Sequence, residues 1–334
     1  MVTKRLNTDD IGLEKASCIL KNGGVVGIPT ETVYGLAANA YDSDAIAKIF
    51  KAKGRPQDNP LIVHIANIDT LYEIAKDIPK NALLCAQKFW PGPLTMVLNK
   101  TDKIPEAVSA GLSTVAVRMP KNETARQLIL KSELPLAAPS ANTSGSPSPT
   151  TANHVINDLD GKIDAVLMGE DCDVGVESTV ITLAGEHPVL LRPGGVTLEQ
   201  LQEILPDITV SDAVLNQLKK DENAESPGMK YKHYAPKTET FLVEGDNFAE
   251  YVNQKENAVA VCFAEEESAI NTKKIVYGSF KNPESLAKNL FDVLRSVDNM
   301  DAKTVYIHAP TKDGIGLAVY NRLIRAAAFK VIKL

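Results

Sequence analysis

The chain has 334 residues, which is enough for two ordinary domains. Its charged fraction of 23% argues against wholesale disorder, and its net charge of −6 disfavours a dedicated nucleic-acid-binding protein, because such proteins are usually basic. No apolar run approaches the length of a membrane span, and the first ten residues have no apolar core for a signal peptide. We therefore expect a cytoplasmic protein with no membrane partner.

The four cysteines, Cys18, Cys85, Cys172 and Cys262, are far apart in the chain and form no CxxC pair. This spacing argues against a zinc knuckle or a thioredoxin motif. Each cysteine falls in an apolar segment, so we predict four buried structural thiols. Such cysteine usage is typical of a reducing cytoplasm.

Hydrophobic periodicity predicts a first α/β domain over residues 1–205. Asp9 or Asp10 can cap the first helix, and Gly54 can end the second. The predicted helices cover 10–22, 43–53, 69–76, 81–90, 122–131 and 197–205. The predicted strands cover 25–28, 61–66, 94–98, 114–119, 134–138, 164–168, 178–183 and 188–192.

A polar loop, SANTSGSPSPTT at 140–151, follows the predicted strand 134–138. Its composition alone is that of a flexible linker. Because three predicted strands follow it closely, we interpret it as an ordered loop inside the first domain.

Periodicity fades over residues 206–237, which we interpret as an interdomain linker. Residues 238–334 then predict a small open α/β domain with a mostly parallel sheet. Its predicted strands cover 239–243, 258–263, 274–277 and 304–308, and its predicted helices cover 247–255, 283–297 and 314–329.

The common nucleotide and metal motifs are missing from the sequence. No GxxxxGK[ST] loop and no HExxH pair is present, and no cluster of carboxylates suggests a metal cage. Gly314 and Gly316 follow a strand and open a helix, but the third glycine and the acidic partner of a dinucleotide site are absent. From these residues alone, ATP binding is only weakly indicated.

Three cationic residues each have a structural and a functional interpretation. Lys53 and Arg55 lie at a helix C-terminus, where cations favour the helix dipole. However, Gly54 and Pro56 restrict the path of Arg55, and a fixed guanidinium suits bidentate contact with phosphate. Arg118 lies in an alternating strand, where a charge is rarely buried unless it is paired. Its partner could be a substrate carboxylate or an internal glutamate.

Other polar candidates are ambiguous by themselves. His64 lies inside an apolar strand and is typical of a neutral, hydrogen-bonded core histidine. Ser140 and Asn142 follow Pro139 and are common turn residues. Thr30 and Thr32 follow the strand 25–28, at a sheet edge where open α/β proteins bind ligands.

Seven sequence segments taken together resemble one known family. They are PTETVYGL at 29–36, KAKGRP at 51–56, NPLIVHI at 59–65, STVAVRMP at 113–120, APSAN at 138–142, ESTV at 177–180 and LRPG at 191–194. They resemble the YrdC-like family, the threonylcarbamoyl-AMP synthases of tRNA modification. PGMKYKHYAP at 227–236 and GIGLAVYNRLIRAA at 314–327 resemble its two-domain branch. The resemblance implies a YrdC-like twisted open sheet with helices, followed by a smaller Rossmann-like α/β domain.

The resemblance also implies an activity. It implies an enzyme that joins L-threonine, bicarbonate and ATP into threonylcarbamoyl-AMP and releases pyrophosphate. That product would supply the modification of adenosine 37 in tRNA, together with partner proteins of that pathway. The implied cofactor is Mg²⁺ held mainly by the ATP phosphates, with no metal ligand assigned to the protein.

The residue roles implied by the resemblance fall into three groups. The catalytic group is Lys53, Arg55, Ser140 and Asn142. The ATP-binding group is Arg55, Asn59, Thr114, Ser140, Ser148, Arg192 and Tyr231, with Tyr234 as the second choice to Tyr231. The threonine-binding group is Thr32, His64, Arg118, Ala138 and Ser178.

Two alternative functions remain open from the sequence. An RNA-binding or ribosome-maturation module is disfavoured by the acidic total charge and the aromatic content of 5%. A carbamoyl transferase for another acceptor would carry zinc-finger and acylphosphatase segments, and neither is evident. The aromatic-rich segment 227–236 suggests that the linker is a lid over the active site, and the alternative is a segment that only docks the second domain.

Overall fold

The computed structural model describes residues 2–216 and 234–334. In this part of the chain, the first sheet has the strand order β1-β8-β2-β3-β7-β4-β6-β5-β9-β10-β11. The strands are β1 Lys4–Leu6, β2 Val26–Ile28, β3 Gly35–Asn39, β4 Ile62–His64, β5 Leu94–Asn99, β6 Thr114–Arg118, β7 Leu136–Ala137, β8 Ala165–Leu167, β9 Thr179–Thr182, β10 Val189–Arg192 and β11 Thr209–Val210.

Several of the helices around this sheet begin at residues whose side chains cap them, and several end at residues whose backbone leaves the helical conformation. Asp9 accepts a hydrogen bond from the Gly12 amide at the start of α1, and Asp42 caps α2. Gly54 ends α2 with φ +62°, which a residue without a side chain adopts at no steric cost. The helices are α1 Asp10–Lys21, α2 Ser43–Lys53, α3 Asp69–Ile74, α4 Lys80–Phe89, α5 Glu106–Ser109, α6 Glu123–Ser132, α7 Ala152–Leu159 and α8 Leu198–Gln202.

The central strands of the first sheet place several of the predicted site residues next to one another. Strands β4 and β6 are parallel neighbours, and His64 is the register partner of Arg118. Strand β7 runs antiparallel to both β3 and β4, which brings the chain after Ala137 back to the loop after β2. An isolated bridge between Gly35 and Ser140 closes this arrangement.

The second sheet is formed by five parallel strands in the order β14-β13-β15-β12-β16. All-parallel sheets need covering on both faces, and three helices provide it here. The strands are β12 Glu239–Glu244, β13 Ala258–Phe263, β14 Lys273–Gly278, β15 Thr304–His308 and β16 Val331–Lys333, and the helices are α9 Phe248–Asn253, α10 Pro283–Ser296 and α11 Gly314–Ala326.

The two bodies share a packed boundary. Val33 and Val176, from loops of the first body, and Tyr234 belong to the apolar core of the second body. Gly175 has φ +76°, and a Cβ there would lie 2.4 Å from the Cα of Lys288 in α10. The loop before Glu177 therefore touches the backbone of the second body directly.

The mixed α/β architecture and nearly all predicted elements are confirmed, with end shifts of a few residues. The sequence analysis missed the strands β1, β3 and β16, the short helix α5 and the helix α7, which directly follows the polar loop 140–151. Residues 209–210, inside the predicted linker, form β11 and pair with β10. The prediction for the cysteines was wrong for Cys18, which is exposed because it lies on the outer face of α1. Among the described helices, none combines the length and the apolar character needed to cross a bilayer.

Candidate active site

A cavity lies against one face of the first sheet, over β4 and β6. Ile62 and His64 line it from alternate positions of β4, and Arg118 lines it from the end of β6. Nine of the predicted site residues line this cavity: Thr32, Arg55, His64, Arg118, Ala138, Ser140, Asn142, Ser178 and Arg192. They come from chain segments as far apart as 32 and 192, so the fold gathers the predicted motifs into one place.

Arg118 is 3% exposed and is held on its inner side by protein groups. Its Nη2 lies 2.7 Å from Oε1 of Glu31, its Nη1 donates to Thr32 Oγ1 at 2.8 Å, and its Nε donates to the Gly92 carbonyl at 3.3 Å. The internal glutamate that the sequence left open as a partner is therefore Glu31. The guanidinium is fixed in place at the cavity wall.

The Glu31–Arg118 pair is a buried ion pair whose electrostatics are coupled. Burial alone would raise the pKa of Glu31, but the charge of Arg118 and its hydrogen bond lower the pKa below its usual value. The carboxylate is therefore ionised at neutral pH. It compensates part of the charge of Arg118 and orients it.

His64 is buried and neutral. Its Nδ1 lies 3.2 Å from the Ile62 carbonyl, and burial together with the nearby Arg118 charge lowers the pKa of His64 to about 3. The prediction of a neutral, hydrogen-bonded histidine is thus confirmed. The same imidazole also lines the cavity, so the two interpretations of His64 hold together.

Ser178 and Arg192 form a second fixed wall of the cavity. Arg192 Nη2 donates to the Ser178 carbonyl at 2.9 Å and to Ser178 Oγ at 3.2 Å. Ser178 Oγ also lies 2.7 Å from Thr95 Oγ1, which orients the hydroxyl. Arg192 is 6% exposed, so its guanidinium belongs to the buried wall and not to the protein surface.

Lys53 lies behind the cavity wall rather than among its lining residues. Its ammonium donates to the carbonyls of Ser140 and of Asn142, the latter at 2.7 Å. Burial and the neighbouring charge of Arg55 lower the pKa of Lys53 well below its usual value. In these contacts Lys53 holds the backbone of the segment that presents Ser140 and Asn142 to the cavity.

Arg55 lines the cavity, and Asn59 is buried beside it. Arg55 Nη2 lies 3.4 Å from the Asn59 carbonyl, and its guanidinium lies 5.9 Å from the centre of the Phe50 ring. Asn59 is 1% exposed, and neither of its side-chain atoms has a hydrogen-bond partner within the described residues. A buried carboxamide without partners is costly in a protein unless a ligand or water satisfies it.

The remaining predicted residues lie in different places. Asn59 and Ser148 are buried next to the cavity but are not among its lining residues, and Thr114 lies about 13 Å from Arg118 along the same face of β6. Their roles in binding stay predictions. Tyr231 lies outside the described residues. Tyr234 lines the cavity and packs on Phe291, with ring centres 5.2 Å apart.

Sequence reasoning missed Glu31 and Glu177 as site residues. Glu177 lines the cavity, accepts a hydrogen bond from Ser148 Oγ at 2.7 Å and forms an ion pair with Arg322 of α11 at 2.8 Å. Both glutamates directly precede a predicted threonine-contacting residue, Thr32 or Ser178. That adjacency was the one signal in the sequence that could have found them.

Comparison with known proteins identifies the family. Residues 18–194 match the Sua5/YciO/YrdC family model, described as telomere recombination. The chain belongs to the Sua5/YciO/YrdC family. Residues 196–328 match a second model, described as threonylcarbamoyl-AMP synthase, C-terminal domain, so the Sua5 branch with two domains is represented here.

Relatives of this Sua5-type chain match it over its whole length. A threonylcarbamoyl-AMP synthase of Pyrococcus abyssi is 44% identical over 100% of this chain and 99% of its own, and one of Bacillus subtilis is 44% identical over 99% and 97%. A crystal structure of P. abyssi Sua5 complexed with L-threonine superposes with a TM-score of 0.90 at 41% identity, covering 100% of this chain and 99% of that one. Escherichia coli YciO, at 22% identity and a TM-score of 0.52, shares the fold over 58% of this chain and 95% of its own.

Proposed function

We propose that this protein synthesises L-threonylcarbamoyl-AMP from L-threonine, bicarbonate and ATP and releases pyrophosphate. The observation that carries the proposal is the fixed Arg118 guanidinium, which lines a cavity together with Thr32, His64 and Ser178. Full-length relatives named threonylcarbamoyl-AMP synthase and a relative complexed with L-threonine support it. The same relatives give no support to an RNA-binding or ribosome-maturation function.

The threonine end of the cavity suits an amino acid. Arg118 supplies the positive charge that a carboxylate needs, and charge-assisted hydrogen bonds of this kind are among the strongest in proteins. His64, with a pKa near 3, adds no second positive charge beside the substrate amine. That matters because the amine must be unprotonated to attack carbon dioxide derived from bicarbonate.

The ATP end of the cavity must assist the transfer of the adenylyl group of ATP to the carbamate. A carbamate oxygen attacks the α-phosphorus of ATP, the bond to the bridging oxygen breaks, and pyrophosphate leaves. Such a reaction needs in-line positioning and neutralisation of charge rather than a protein nucleophile. Arg55, Ser140 and Asn142 line this side of the cavity, and the unpartnered carboxamide of Asn59 is available to hydrogen-bond the nucleotide.

A carbamate and a mixed carbonic–phosphoric anhydride both decompose in water, so the cavity should be closed during reaction. Tyr234 contributes to this, because its ring is 5% exposed and forms part of the wall. We propose that the preceding residues, including Tyr231, complete the closure as a lid.

Mg²⁺ remains part of the proposal as a component of the substrate, MgATP. In the residues that the structure describes, no group of three His, Cys, Asp or Glu side chains could hold a metal ion. The carboxylate of Glu177, which lines the cavity, is engaged by Arg322, and the carboxylate of Glu31 is engaged by Arg118. The phosphates and water would therefore supply the ligands of Mg²⁺, which neutralises phosphate charge when bound.

The product would supply the threonylcarbamoyl group for adenosine 37 of tRNA, through partner proteins that carry out the transfer. We propose that this takes place in the cytoplasm. The four cysteines support a reducing compartment, since all are free thiols.

The decisive experiment measures pyrophosphate release from ATP by the purified protein, with threonine and bicarbonate omitted in turn. We expect release only when both are present, together with a product whose mass equals that of threonylcarbamoyl-AMP. Serine in place of threonine serves as the control for the substrate pocket. Pyrophosphate release that needs neither threonine nor bicarbonate would contradict the proposal.

A further inference from the structure

An arginine of the second domain reaches the back of the catalytic cavity. Arg322, in the middle of α11, is 0% exposed. Its Nε donates to Glu177 Oε2 at 2.8 Å, and its Nη1 donates to the Pro193 carbonyl at 2.8 Å. Asn321 Oδ1 accepts a second hydrogen bond from Nη1 at 2.8 Å.

Both partners of Arg322 in the first domain are direct neighbours of cavity residues. Glu177 precedes Ser178, and Pro193 follows Arg192. Arg192 in turn donates to the carbonyl and the hydroxyl of Ser178. A single guanidinium therefore holds both chain segments that build the Ser178–Arg192 wall.

Glu177 extends this network to a third segment. Its Oε1 accepts from the hydroxyl of Ser148, which is 1% exposed, at 2.7 Å. Burial alone would raise the pKa of Glu177, but the charges of Arg322 and Arg192 lower it to about 2. The carboxylate is thus charged at every working pH, and its position depends on the cation that pairs with it.

A second arginine of the same domain contacts the same loop from another side. Arg295, in α10, forms a bidentate pair with Asp158, with Nη1–Oδ1 at 3.0 Å and Nη2–Oδ2 at 2.9 Å. Its Nη2 also donates to the Pro147 carbonyl at 2.6 Å. The loop 143–148, which carries the cavity residue Ser146, is consequently held by α10 and by α11.

We propose that Arg322 is a positioning residue for the reaction, through which the second domain holds Glu177, Ser148 and the Ser178–Arg192 wall in their working geometry. The expected change in kcat rests on the proposed function, whereas the expected change in the geometry of the wall does not. Arg322 itself is behind the wall and does not line the cavity, so it acts through Glu177 and Pro193.

The test uses the full-length variant Arg322→Lys. Lysine keeps the positive charge next to Glu177 but has no planar fork to bind Glu177 and Pro193 together. We expect kcat to fall by about tenfold or more, since small misplacements of catalytic groups have large kinetic costs, with a melting temperature close to wild type. Lys330→Ala is the matched control, because it removes a cation of the same domain that pairs on the surface with Glu239.

A fall in kcat at an unchanged melting temperature is the readout that a merely structural role would not produce, and hydrogen exchange of the backbone amides shows which segments Arg322 holds. We expect faster exchange in 143–150 and 176–179 of Arg322→Lys, with α10 and the second sheet unchanged, and no change in Lys330→Ala. Should Arg322→Lys fail to fold, the double variant Glu177→Gln with Arg322→Gln replaces it, because it neutralises both partners of this buried ion pair together. The same changes in kcat and exchange are expected there.

Two results would overturn the inference. One is wild-type kcat in the folded variant, and the other is unchanged exchange in 143–150 and 176–179. If the wild-type protein itself released no pyrophosphate with threonine and bicarbonate, the proposed function would fail, and the exchange experiment would still decide the role of Arg322.

Discussion

The guanidinium of Arg118 lies 2.7 Å from the carboxylate of Glu31, and their side chains are 4% and 6% exposed. A cation at the cavity wall is thus already paired on its inner side. The pairing fixes its direction without covering the face that the cavity exposes.

Glu31→Gln should weaken threonine binding, because Arg118 loses the charge that orients it. Hydrogen bonds to charged groups are worth about 1.5–3 kcal/mol, which corresponds to a rise of about tenfold or more in the threonine KM. The variant should also have a lower free energy of unfolding than wild type at pH values above the ordinary carboxyl pKa. This difference should disappear as the pH falls through the lowered pKa of Glu31. Steady-state kinetics and acid titration of unfolding measure the two effects. Glu123→Gln, which breaks an exposed pair with Arg126, is the control, and an unchanged threonine KM in Glu31→Gln would exclude this role.

Removing Arg118 should abolish threonine binding and leave ATP binding measurable. Arg118→Ala alone leaves Glu31 as an unpaired buried charge, which costs about 3–5 kcal/mol of stability. The double variant Glu31→Gln with Arg118→Gln avoids that charge and isolates the binding effect. Calorimetric titration with each ligand is the measurement. Equal loss of both ligands in the folded double variant would argue against a threonine-specific role.

Arg55→Ala should weaken the use of ATP by at least about tenfold, since a charge-assisted contact to phosphate is lost. Arg55→Lys should recover only part of this loss, because an ammonium lacks the bidentate geometry of a guanidinium. The KM for ATP at saturating threonine is the quantity to compare. Lys51→Ala, at an exposed position of the same helix end, is the control. ATP kinetics that do not change in Arg55→Ala would remove Arg55 from the site.

His64 should make the protein less stable as the pH falls below neutral. Its pKa is about 3 in the folded protein and near 6.5 when unfolded, so between these values the unfolded state binds the extra proton. The free energy of unfolding should therefore fall by about 1.4 kcal/mol per pH unit below pH 6.5 from this group. His64→Gln should remove that slope. Urea unfolding of both proteins at pH 7 and pH 5 measures this pH dependence. An equal change in the free energy of unfolding between the two pH values in both proteins would show that His64 is not kept neutral by burial.

Shortening the chain tests whether the linker acts alone as a lid. The lid hypothesis by itself predicts that a chain ending at 239 keeps much of its activity and that a chain ending at 221 loses far more. The structure changes the first expectation, because removing the second domain exposes Val33, Val176 and Tyr234 and leaves Glu177 without Arg322. We now expect both shortened chains to lose most activity. A folded, fully active chain ending at 239 would show that the second domain is dispensable.

Local patterns were sufficient to predict most elements. The cap of α1 at Asp9, one of the two candidates in the sequence, and the left-handed turn at Gly54 act within a few residues of chain, so the local sequence could indicate them. The short strand β3 was missed because its residues, GLAAN, are small and show no alternation. Helix α7 was missed because the prolines and serines before it resemble an unstructured linker, although Thr151 caps it.

The candidate site shows the same difference between what local sequence predicts and what depends on tertiary packing. The motifs at 29–36, 51–56, 138–142 and 177–180 determine which side chains are available, and nine of the predicted residues do line one cavity. Only the tertiary structure decided what each charge pairs with: Arg118 with Glu31, Lys53 with two backbone carbonyls, and Glu177 with Arg322, 145 positions away in the chain. Periodicity reports which face of an element is buried, but the partner of a buried charge depends on how distant segments pack, and no local pattern records that.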